Sequence, residues 1–147
     1  MKLMFVCHGN ICRSPMAEFI MKDLLKKEGI TSVQVASSAT STEEIFNGVG
    51  NPVYPPAKAE LARHGLSCEG KRAVQLRPAD YDQWDLFVAM DDHNLRNIAR
   101  IFKDPQGKVR KLNQKDVSDP WWSGDFETAY REIEVGCKRL LKEIKWE

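Results

Sequence analysis

The sequence predicts an α/β fold in which four short parallel strands alternate with helices on both faces of one sheet. Two unbroken apolar runs, at 3–6 and 86–90, are typical of strands buried on both sides. After each run, apolar residues recur every three or four positions, as in helices that pack against a sheet. Ligands of such folds bind at the carboxyl ends of the strands, so the loop after the first strand is the first candidate site.

The first helix is marked at both ends. Ser14 is suited to its N-cap and Pro15 to its first position, and Gly29 ends it. A second strand is predicted over 33–37. The polar residues 40–52 that follow are typical of a loop over the surface.

The second half of the chain repeats the alternation. Its predicted elements are a helix over 55–64, a strand over 85–90, a helix capped by Asp91 or Asp92, a turn over 104–107, a strand over 109–112 and a last helix that begins near Asp125. Acidic residues at the start of the last helix and basic residues at its end complement its dipole. Cys137 lies on the apolar stripe of this helix, where we expect a structural role.

The composition is that of an ordinary globular protein. Of the 147 residues, 42% are hydrophobic and 29% charged, which favours one domain over residues 1–147. No apolar run approaches the roughly 20 residues of a membrane-spanning helix, and the chain opens on a strand instead of a signal peptide. A net charge of +1 provides no basic surface for nucleic acid. The cysteines do not suggest a secreted disulfide framework, so a reducing cytoplasm is the expected location.

The loop after the first strand combines a nucleophile with groups that bind an oxyanion. Cys7 ends the strand and faces the N-terminus of the first helix, whose dipole and N–H groups favour a thiolate. Gly9 and Asn10 tolerate positive φ, so the loop can curl and turn its N–H groups inward. Arg13 can bind two oxygens of a tetrahedral oxyanion, and Ser14 can donate a hydrogen bond to the thiolate. Together these residues predict a phosphate site with a cysteine nucleophile.

The spacing of Cys7 and Arg13 is a weak signal by itself, because a buried cysteine and a surface arginine on an ordinary turn would also show it. The surrounding residues are more specific. Residues 6–18, Val-Cys-His-Gly-Asn-Ile-Cys-Arg-Ser-Pro-Met-Ala-Glu, resemble the signature loop of the low-molecular-weight protein tyrosine phosphatases. The similarity covers nearly the whole chain and implies a four-stranded parallel sheet in the strand order 2-1-3-4.

The resemblance also implies a reaction. It implies hydrolysis of phosphotyrosine and small aryl phosphates through a cysteinyl-phosphate intermediate on Cys7, with no metal and no other cofactor. Arg13 would hold the phosphoryl group. The other phosphate-binding residues would be His8, Gly9, Asn10, Ile11, Cys12 and Ser14. The expected partner is a phosphotyrosine-containing protein, with a tyrosine kinase among the candidates, and the chain is expected to be a monomer.

The general acid is expected in the loop after the fourth strand. A carboxylic acid must protonate the leaving oxygen and then activate water. Asp119 is the candidate, because Pro120 restricts it to extended conformations, and Trp121 and Trp122 would wall a deep slot and stack on a phenyl ring. The resembled family has Asp-Pro followed by aromatic residues here; simple surface packing of the two indoles is the alternative. Asp104 also precedes a proline but no aromatic residue, and is predicted to lie in a turn.

Three positions concern the support of the nucleophile loop. Ser37 matches a serine that hydrogen-bonds the loop asparagine in the resembled family, and it would hold Asn10; opening a turn is its alternative role. Lys71 and Val74 stand where many members have His and Arg. The hydrogen bonds behind the loop are therefore expected to differ in this chain, without loss of the chemistry.

Residues 46–49 look inserted relative to the resembled family. The corresponding loop of the family flanks the active site and carries an aromatic or apolar wall. Ile45 or Phe46 would serve as that wall here. His64 is expected at a helix end and His93 on a first helical turn, and neither is expected to be catalytic.

Cys12 has two interpretations. It is either a small apolar residue that fills the loop or the partner of Cys7 in a reversible disulfide after oxidation, which the family resemblance favours. A zinc site at Cys7, His8 and Cys12 is not favoured, because a second pair of closely spaced ligands is missing from the sequence.

Three rival functions fit the same fold or loop. An arsenate reductase needs further thiols near the site, but the spare cysteines Cys68 and Cys137 lie outside the segment 80–90 where related reductases carry theirs. A protein arginine phosphatase of this type carries Thr where Ile11 stands, and Ile11 would crowd a phosphoarginine. A non-enzymatic oxyanion-binding module would need neither a nucleophile nor an acid.

Overall fold

The chain forms two sheets and six helices within the residues that the structure describes. The computed structural model describes residues 1–144, and residues 145–147 of the predicted domain lie outside the described residues. The strands are β1 (Lys2–Cys7), β2 (Gln34–Ala39), β3 (Ile45–Phe46), β4 (Val49–Gly50), β5 (Leu86–Ala89) and β6 (Val109–Lys111). The helices are α1 (Arg13–Lys27), α2 (Pro55–Arg63), α3 (Asp80–Gln83), α4 (Asp92–Ile101), α5 (Pro120–Ser123) and α6 (Phe126–Glu143).

The main sheet has the spatial order β2-β1-β5-β6, and all its neighbours are parallel. The predicted order 2-1-3-4 is confirmed, with β5 and β6 as the third and fourth strands. Cys7 pairs with Ala39 at the last position of β1 and β2, and Val6 pairs with Ala89 at the end of β5. The carboxyl ends of three neighbouring strands therefore meet beside Cys7.

Both faces of this sheet are covered, as predicted. Leu3 and Phe5 point into a core cluster with side chains of α1, α2 and α6, whereas Met4 and Val6 point into a second cluster with α4. Full burial of a large apolar side chain such as Phe5 contributes about 1.5–3 kcal/mol, so the side chains on both faces of β1 stabilise the sheet. Among the helices within residues 1–144, none combines the length and hydropathy that crossing a bilayer requires.

Helix α1 begins at Arg13, one position before the N-cap that the sequence predicts. Cys12 is the N-cap residue and makes no side-chain hydrogen bond to the first turn. Ser14, the expected cap, lies inside the first turn. Its hydroxyl does not cap the helix but accepts a hydrogen bond from Asn10 and contacts Cys7 Sγ. The first N–H groups of α1 are therefore left for a ligand.

The other differences from the predicted elements are small. Residues 40–52 contain the hairpin β3–β4, whose connection has φ of 51° at Asn47 and 78° at Gly48. Positive φ at both central residues is the type I′ geometry that Asn-Gly favours. The one-turn helices α3 and α5 are absent from the prediction, because four residues are too short to show helical periodicity. Helix α4 follows the N-cap Asp91, one of the two predicted caps.

Candidate active site

The loop between β1 and α1 wraps around the sulfur of Cys7. Cys7 is buried, and its Sγ lies 2.9 Å from Ser14 Oγ and 3.3 Å from the backbone nitrogen of Asn10, which donates to it. Asn10 adopts a φ of 58°, the left-handed conformation predicted for this curl. Within residues 1–144, the N–H groups of Gly9, Ile11 and Cys12 have no acceptor. Free N–H groups at a helix N-terminus form an anion site.

Gly9 serves the loop in a different way from the prediction. Its φ is not positive, so the curl depends on Asn10 alone. A Cβ atom at position 9 would lie 3.3 Å from Cγ of Glu44, which is tighter than an ordinary contact. Gly9 therefore leaves room for the Glu44 side chain, which would have to shift slightly to admit a Cβ atom, and it does not supply the backbone conformation of the curl.

The side chain of Asn10 ties the loop to its surroundings. Its Nδ2 donates to Ser14 Oγ at 2.8 Å and to Ser37 Oγ at 2.9 Å, and its Oδ1 accepts the N–H of Val74 at 3.0 Å. The predicted contact between Ser37 and Asn10 is thus present. Three separate segments hold Asn10, so the strained φ is fixed before any ligand binds.

Arg13 is buried, and its guanidinium is held by Val117, Asp91 and Asp119. Nη1 donates to the carbonyl of Val117 at 2.9 Å and lies 2.9 Å from Asp91 Oδ2. Nη2 lies 3.6 Å from Asp119 Oδ2. Burial acts against the charged form, but the neighbouring Cys7, Asp91 and Asp119 raise the pKa of Arg13. The guanidinium is therefore a fixed cation at the rim of the loop.

Asp119 lies above the loop at the start of α5. Its Oδ1 accepts the N–H of Trp121 at 3.1 Å, and Pro120 occupies the first helical position. The carboxylate is 36% exposed, so it faces the open cleft while the cap hydrogen bond holds its direction. Asp104 does not line this cleft: it accepts hydrogen bonds in the predicted turn, and its Tyr81 partner belongs to the other core cluster.

The cleft over Cys7 has a volume of about 410 Å³ and is lined by all predicted site residues except Ser14 and Ser37, which lie behind the loop. Trp121 packs on Tyr54 with ring centroids 4.9 Å apart and remains 50% exposed. Trp122 is 83% exposed at the mouth. The two indoles thus form one wall, with room for a flat ring beside them.

The opposite wall differs from the prediction. Glu43 and Glu44 line the cleft, whereas Ile45 and Phe46 do not. Ile45 packs against the core and Phe46 points away, 62% exposed, since successive residues of a strand face opposite sides. The wall that the sequence assigns to an apolar side chain is therefore acidic.

Two further residues of the cleft are not identified as site residues from the sequence. Asp91 is predicted only as a helix cap, yet it also anchors Arg13; its position at the end of a buried strand was the available signal. His93 lines the cleft, and its ring centroid lies 5.9 Å from that of His8. His8 Nε2 lies 3.1 Å from Glu43 Oε2.

The four cysteines are free thiols with different surroundings. Burial, and then the neighbouring Cys7 and Asp119, raise the pKa of the Cys12 thiol. Burial also raises the pKa of Cys137, which is fully enclosed as predicted. In the described part of the chain, no three His, Cys, Asp or Glu side chains are grouped so as to hold a metal ion.

Comparisons with known proteins agree with this geometry. A family model described as low molecular weight phosphotyrosine protein phosphatase matches residues 2–147. The low molecular weight protein-tyrosine-phosphatase YfkJ of Bacillus subtilis is 37% identical over 99% of this chain and 96% of its own length. The crystal structure of YfkJ superposes with a TM-score of 0.90 at 33% identity, covering 98% of this chain and 94% of that one.

A second solved structure on the same fold has a different named substrate. It is a cysteine-to-serine variant of the YwlE arginine phosphatase with a phosphorylated active-site serine. It superposes with a TM-score of 0.85 at 26% identity, covering 97% of this chain and 95% of that one. The match of the family model over nearly the whole length decides the assignment: the chain belongs to the low molecular weight phosphotyrosine protein phosphatase family.

Proposed function

We propose that this chain hydrolyses phosphotyrosine in proteins, and small aryl phosphates, through a phosphocysteine intermediate on Cys7. The observation that carries the proposal is the position of the Cys7 sulfur beneath free N–H groups and beside the fixed Arg13 cation. Asp119 faces the same cleft from above. A tetrahedral dianion seated in the loop would thus lie between a nucleophile and an acid.

In the first step the Cys7 thiolate attacks phosphorus. The S–P bond forms as the P–O bond to the phenol breaks, and Asp119 gives its proton to the leaving oxygen. The N–H groups of the loop and the guanidinium of Arg13 bind the three equatorial oxygens. Because these donors are already oriented, they stabilise the transition state without reorganisation.

In the second step water releases the phosphate. The Asp119 carboxylate takes a proton from water, the water oxygen attacks phosphorus, and the S–P bond breaks to return the thiolate of Cys7. Ser14, whose hydroxyl lies 2.9 Å from the sulfur, would stabilise the leaving thiolate. The products are inorganic phosphate and the original enzyme.

The cleft favours an aromatic phosphate over phosphoarginine. Trp121 and Trp122 offer flat apolar surface for a phenyl ring. Ile11, which is nearly buried and lines the cleft, offers no hydrogen bond to a guanidinium nitrogen. An arsenate reductase is disfavoured because, among the residues that the structure describes, Cys7 and Cys12 are the cleft's only cysteines.

The finer aspects of the cellular role belong to the same proposal. The substrate class is a phosphoprotein, and a tyrosine kinase is the candidate partner. We infer that the chain acts in a reducing cytoplasm, because turnover requires Cys7 as a free thiol. We infer that it acts there as a monomer.

The test compares three substrates with one enzyme. Purified protein is incubated with an aryl phosphate, a phosphotyrosine peptide and a phosphoarginine peptide of the same sequence, in the presence of a metal chelator, with Cys7→Ser as the control. We expect turnover of the first two and weak turnover of the third. Preference for phosphoarginine would replace the proposed substrate, and phosphate binding without turnover would indicate the non-enzymatic module.

A further inference from the structure

A buried ion pair lies directly behind the nucleophile loop. Glu18, on α1, is only 4% exposed. Its Oε1 accepts from Ser37 Oγ at 2.6 Å and lies 3.6 Å from Lys71 Nζ, and its Oε2 accepts from Lys22 Nζ at 2.6 Å. Lys71 also donates to the carbonyl of Ser37 at 2.9 Å. A carboxylate this deeply buried needs such partners to remain charged.

The hydrogen bonds that lead from Glu18 to the nucleophile can run in one direction only. An ionised carboxylate only accepts, so Ser37 must use its single hydroxyl hydrogen toward Glu18. The Ser37 oxygen is then an acceptor, and Asn10 Nδ2 donates to it. The Asn10 amide cannot be reversed, because its Oδ1 already accepts the N–H of Val74.

The number of hydrogens on Asn10 Nδ2 also bears on the hydrogen bond between Ser14 and Cys7. Asn10 Nδ2 has two hydrogens, one directed to Ser37 and the other to Ser14 Oγ. Ser14 Oγ therefore accepts from Asn10, and its only hydrogen is left for Cys7 Sγ at 2.9 Å. Ser14 Oγ keeps a second lone pair that a neutral thiol could use, but a Cys7 thiolate can only accept, and the free Ser14 hydrogen then serves as its donor. The chain thus leaves a donor available for the ionised sulfur.

We propose that Glu18, with Lys71 as its buried counter-ion, is a positioning residue that orients this chain of hydrogen bonds so that Ser14 donates to Cys7 and stabilises its thiolate. The proposal depends on the proposed function only in taking Cys7 as the nucleophile. Neither Glu18 nor Lys71 lines the cleft, so neither touches the substrate.

Lys71 contributes through two connections. It pairs with Glu18, and its hydrogen bond to the Ser37 carbonyl joins the segment 71–74 to β2. Val74 of this segment donates to Asn10. Burial lowers the pKa of Lys71, while Glu18 acts in the opposite direction. Lys22, on the same helix as Glu18, is the other cation at the carboxylate but is half exposed. Lys71 is therefore the better shielded of the two partners.

The test measures the reactivity of Cys7 directly. The variants are Glu18→Gln, which keeps the shape but can orient its amide either way, Lys71→Met, which keeps the aliphatic stem, and Lys71→Arg, which keeps the charge. Lys27→Met is the matched control, because Lys27 makes an ordinary exposed ion pair with Asp23 on the same helix. The readouts are the rate of alkylation of Cys7 by neutral iodoacetamide at neutral pH, located by mass spectrometry, and the inhibition constant of inorganic phosphate.

We expect Glu18→Gln and Lys71→Met to slow alkylation of Cys7 by about tenfold, since a hydrogen bond to a charged group is worth at least that factor. Lys71→Arg should recover most of the rate, and Lys27→Met should stay within about twofold of the parent. The inhibition constant of phosphate should change by less than about threefold in all variants, because the loop N–H groups and Arg13 are untouched.

Two results would overturn the inference. One is alkylation at the parental rate in folded Glu18→Gln, which would show that the sulfur does not depend on the chain. The other is a parallel loss of phosphate affinity, which would mean that Glu18 only maintains the shape of the loop. If Lys71→Met does not fold, Glu18→Gln and Lys71→Arg still decide whether the reactivity of Cys7 depends on the pair of Glu18 and Lys71. Alkylation needs no substrate, so absence of phosphotyrosine turnover with rapid, Glu18-dependent labelling would refute the proposed function alone.

Discussion

Nη1 of Arg13 lies 2.9 Å from Oδ2 of Asp91, and this contact joins the start of α1 to the start of α4 across the top of the sheet. Asp91 has a second task there, since its Oδ1 accepts the N–H of Asn94 as the N-cap of α4. One carboxylate thus fixes both a helix and the guanidinium proposed to hold the phosphoryl group. The two side chains are little exposed, so loss of their ion pair should change the orientation of Arg13 in the cleft.

Asp91→Asn separates these two tasks. Asparagine caps helices as well as aspartate does, so α4 should remain formed, but the charge that orients Arg13 is lost. We expect kcat/KM for an aryl phosphate to fall about tenfold or more, with weaker inhibition by phosphate. Steady-state kinetics check this, with Asp92→Asn, an exposed neighbour paired with Lys111, as the control. Equal effects of the two substitutions would rule out a special role for Asp91.

Cys7→Ser should abolish turnover while the fold is kept. Serine fits the space of the buried thiol and can hydrogen-bond to Ser14, but its hydroxyl is a far weaker nucleophile at neutral pH. We expect a loss on the order of 10⁴-fold or more in kcat, with phosphate binding retained. Circular dichroism and calorimetric titration with phosphate would establish the folded, binding-competent state. Substantial phosphatase activity in this variant would refute covalent catalysis by Cys7.

Asp119→Asn tests the general acid. Asparagine can still accept the N–H of Trp121 and cap α5, but it has no proton to give. The loss should be about 10²–10⁴-fold for phenyl phosphate, whose leaving group needs protonation, and much smaller for p-nitrophenyl phosphate. The measurement is kcat over a series of aryl phosphates of increasing leaving-group acidity. If all members slow equally, the acid must be another group.

The acidic wall suggests an electrostatic prediction. Glu43 lines the cleft, and its side chain is 69% exposed, so its charge repels an incoming phosphate dianion through water. Glu43→Gln should raise kcat/KM for a small aryl phosphate about twofold at low ionic strength, and the gain should vanish at high salt because of screening. Glu28→Gln, at the exposed end of α1, is the control. A gain that persists in high salt would indicate a change of shape instead of charge.

The sequence predicts those features that depend on local patterns. The apolar runs of β1 and β5 and the helical stripes predict the alternation of strands and helices, and the family resemblance adds the observed strand order. The residues from 7 to 13 follow one another in the chain, so the amino-acid sequence alone is enough to group them in one loop.

The contacts that the sequence does not predict join distant segments. Asp91 follows β5 and meets Arg13 only because β1 and β5 are neighbours. Glu18 and Lys71 are separated by the whole of β2 and α2, and nothing in either local pattern indicates a buried pair. The prediction of the wall residues fails for another reason: β3 has only two residues, which is too short for its alternation to be assigned from the sequence. The pattern therefore does not reveal that Glu43 and Glu44 line the cleft in place of Ile45 or Phe46.

Asp104 provides a prediction about stability and pH. Burial opposes its charge, but hydrogen bonds from the N–H groups of Val109 and Lys108 and from the hydroxyl of Tyr81 lower the pKa of Asp104. A carboxyl whose pKa is lower in the folded than in the unfolded state stabilises the fold above the unfolded value of about 3.9. That contribution is lost as the pH falls through the lower, folded value. Asp104 should therefore stabilise the protein at neutral pH and cease to do so in strong acid.

Asp104→Asn should lower the free energy of unfolding by about 1–3 kcal/mol at neutral pH, because an amide nitrogen would then face a donor of the 104–109 turn. Urea unfolding at several pH values, with Asp82→Asn on the exposed side of α3 as the control, measures the difference. The difference in free energy of unfolding between parent and variant should become smaller as the pH falls below about 4. Catalysis should not change, because Asp104 contacts the core cluster on the other face of the sheet from Cys7. A constant gap down to the acid limit would show that the hydrogen bonds stabilise through their geometry alone and not through the charge.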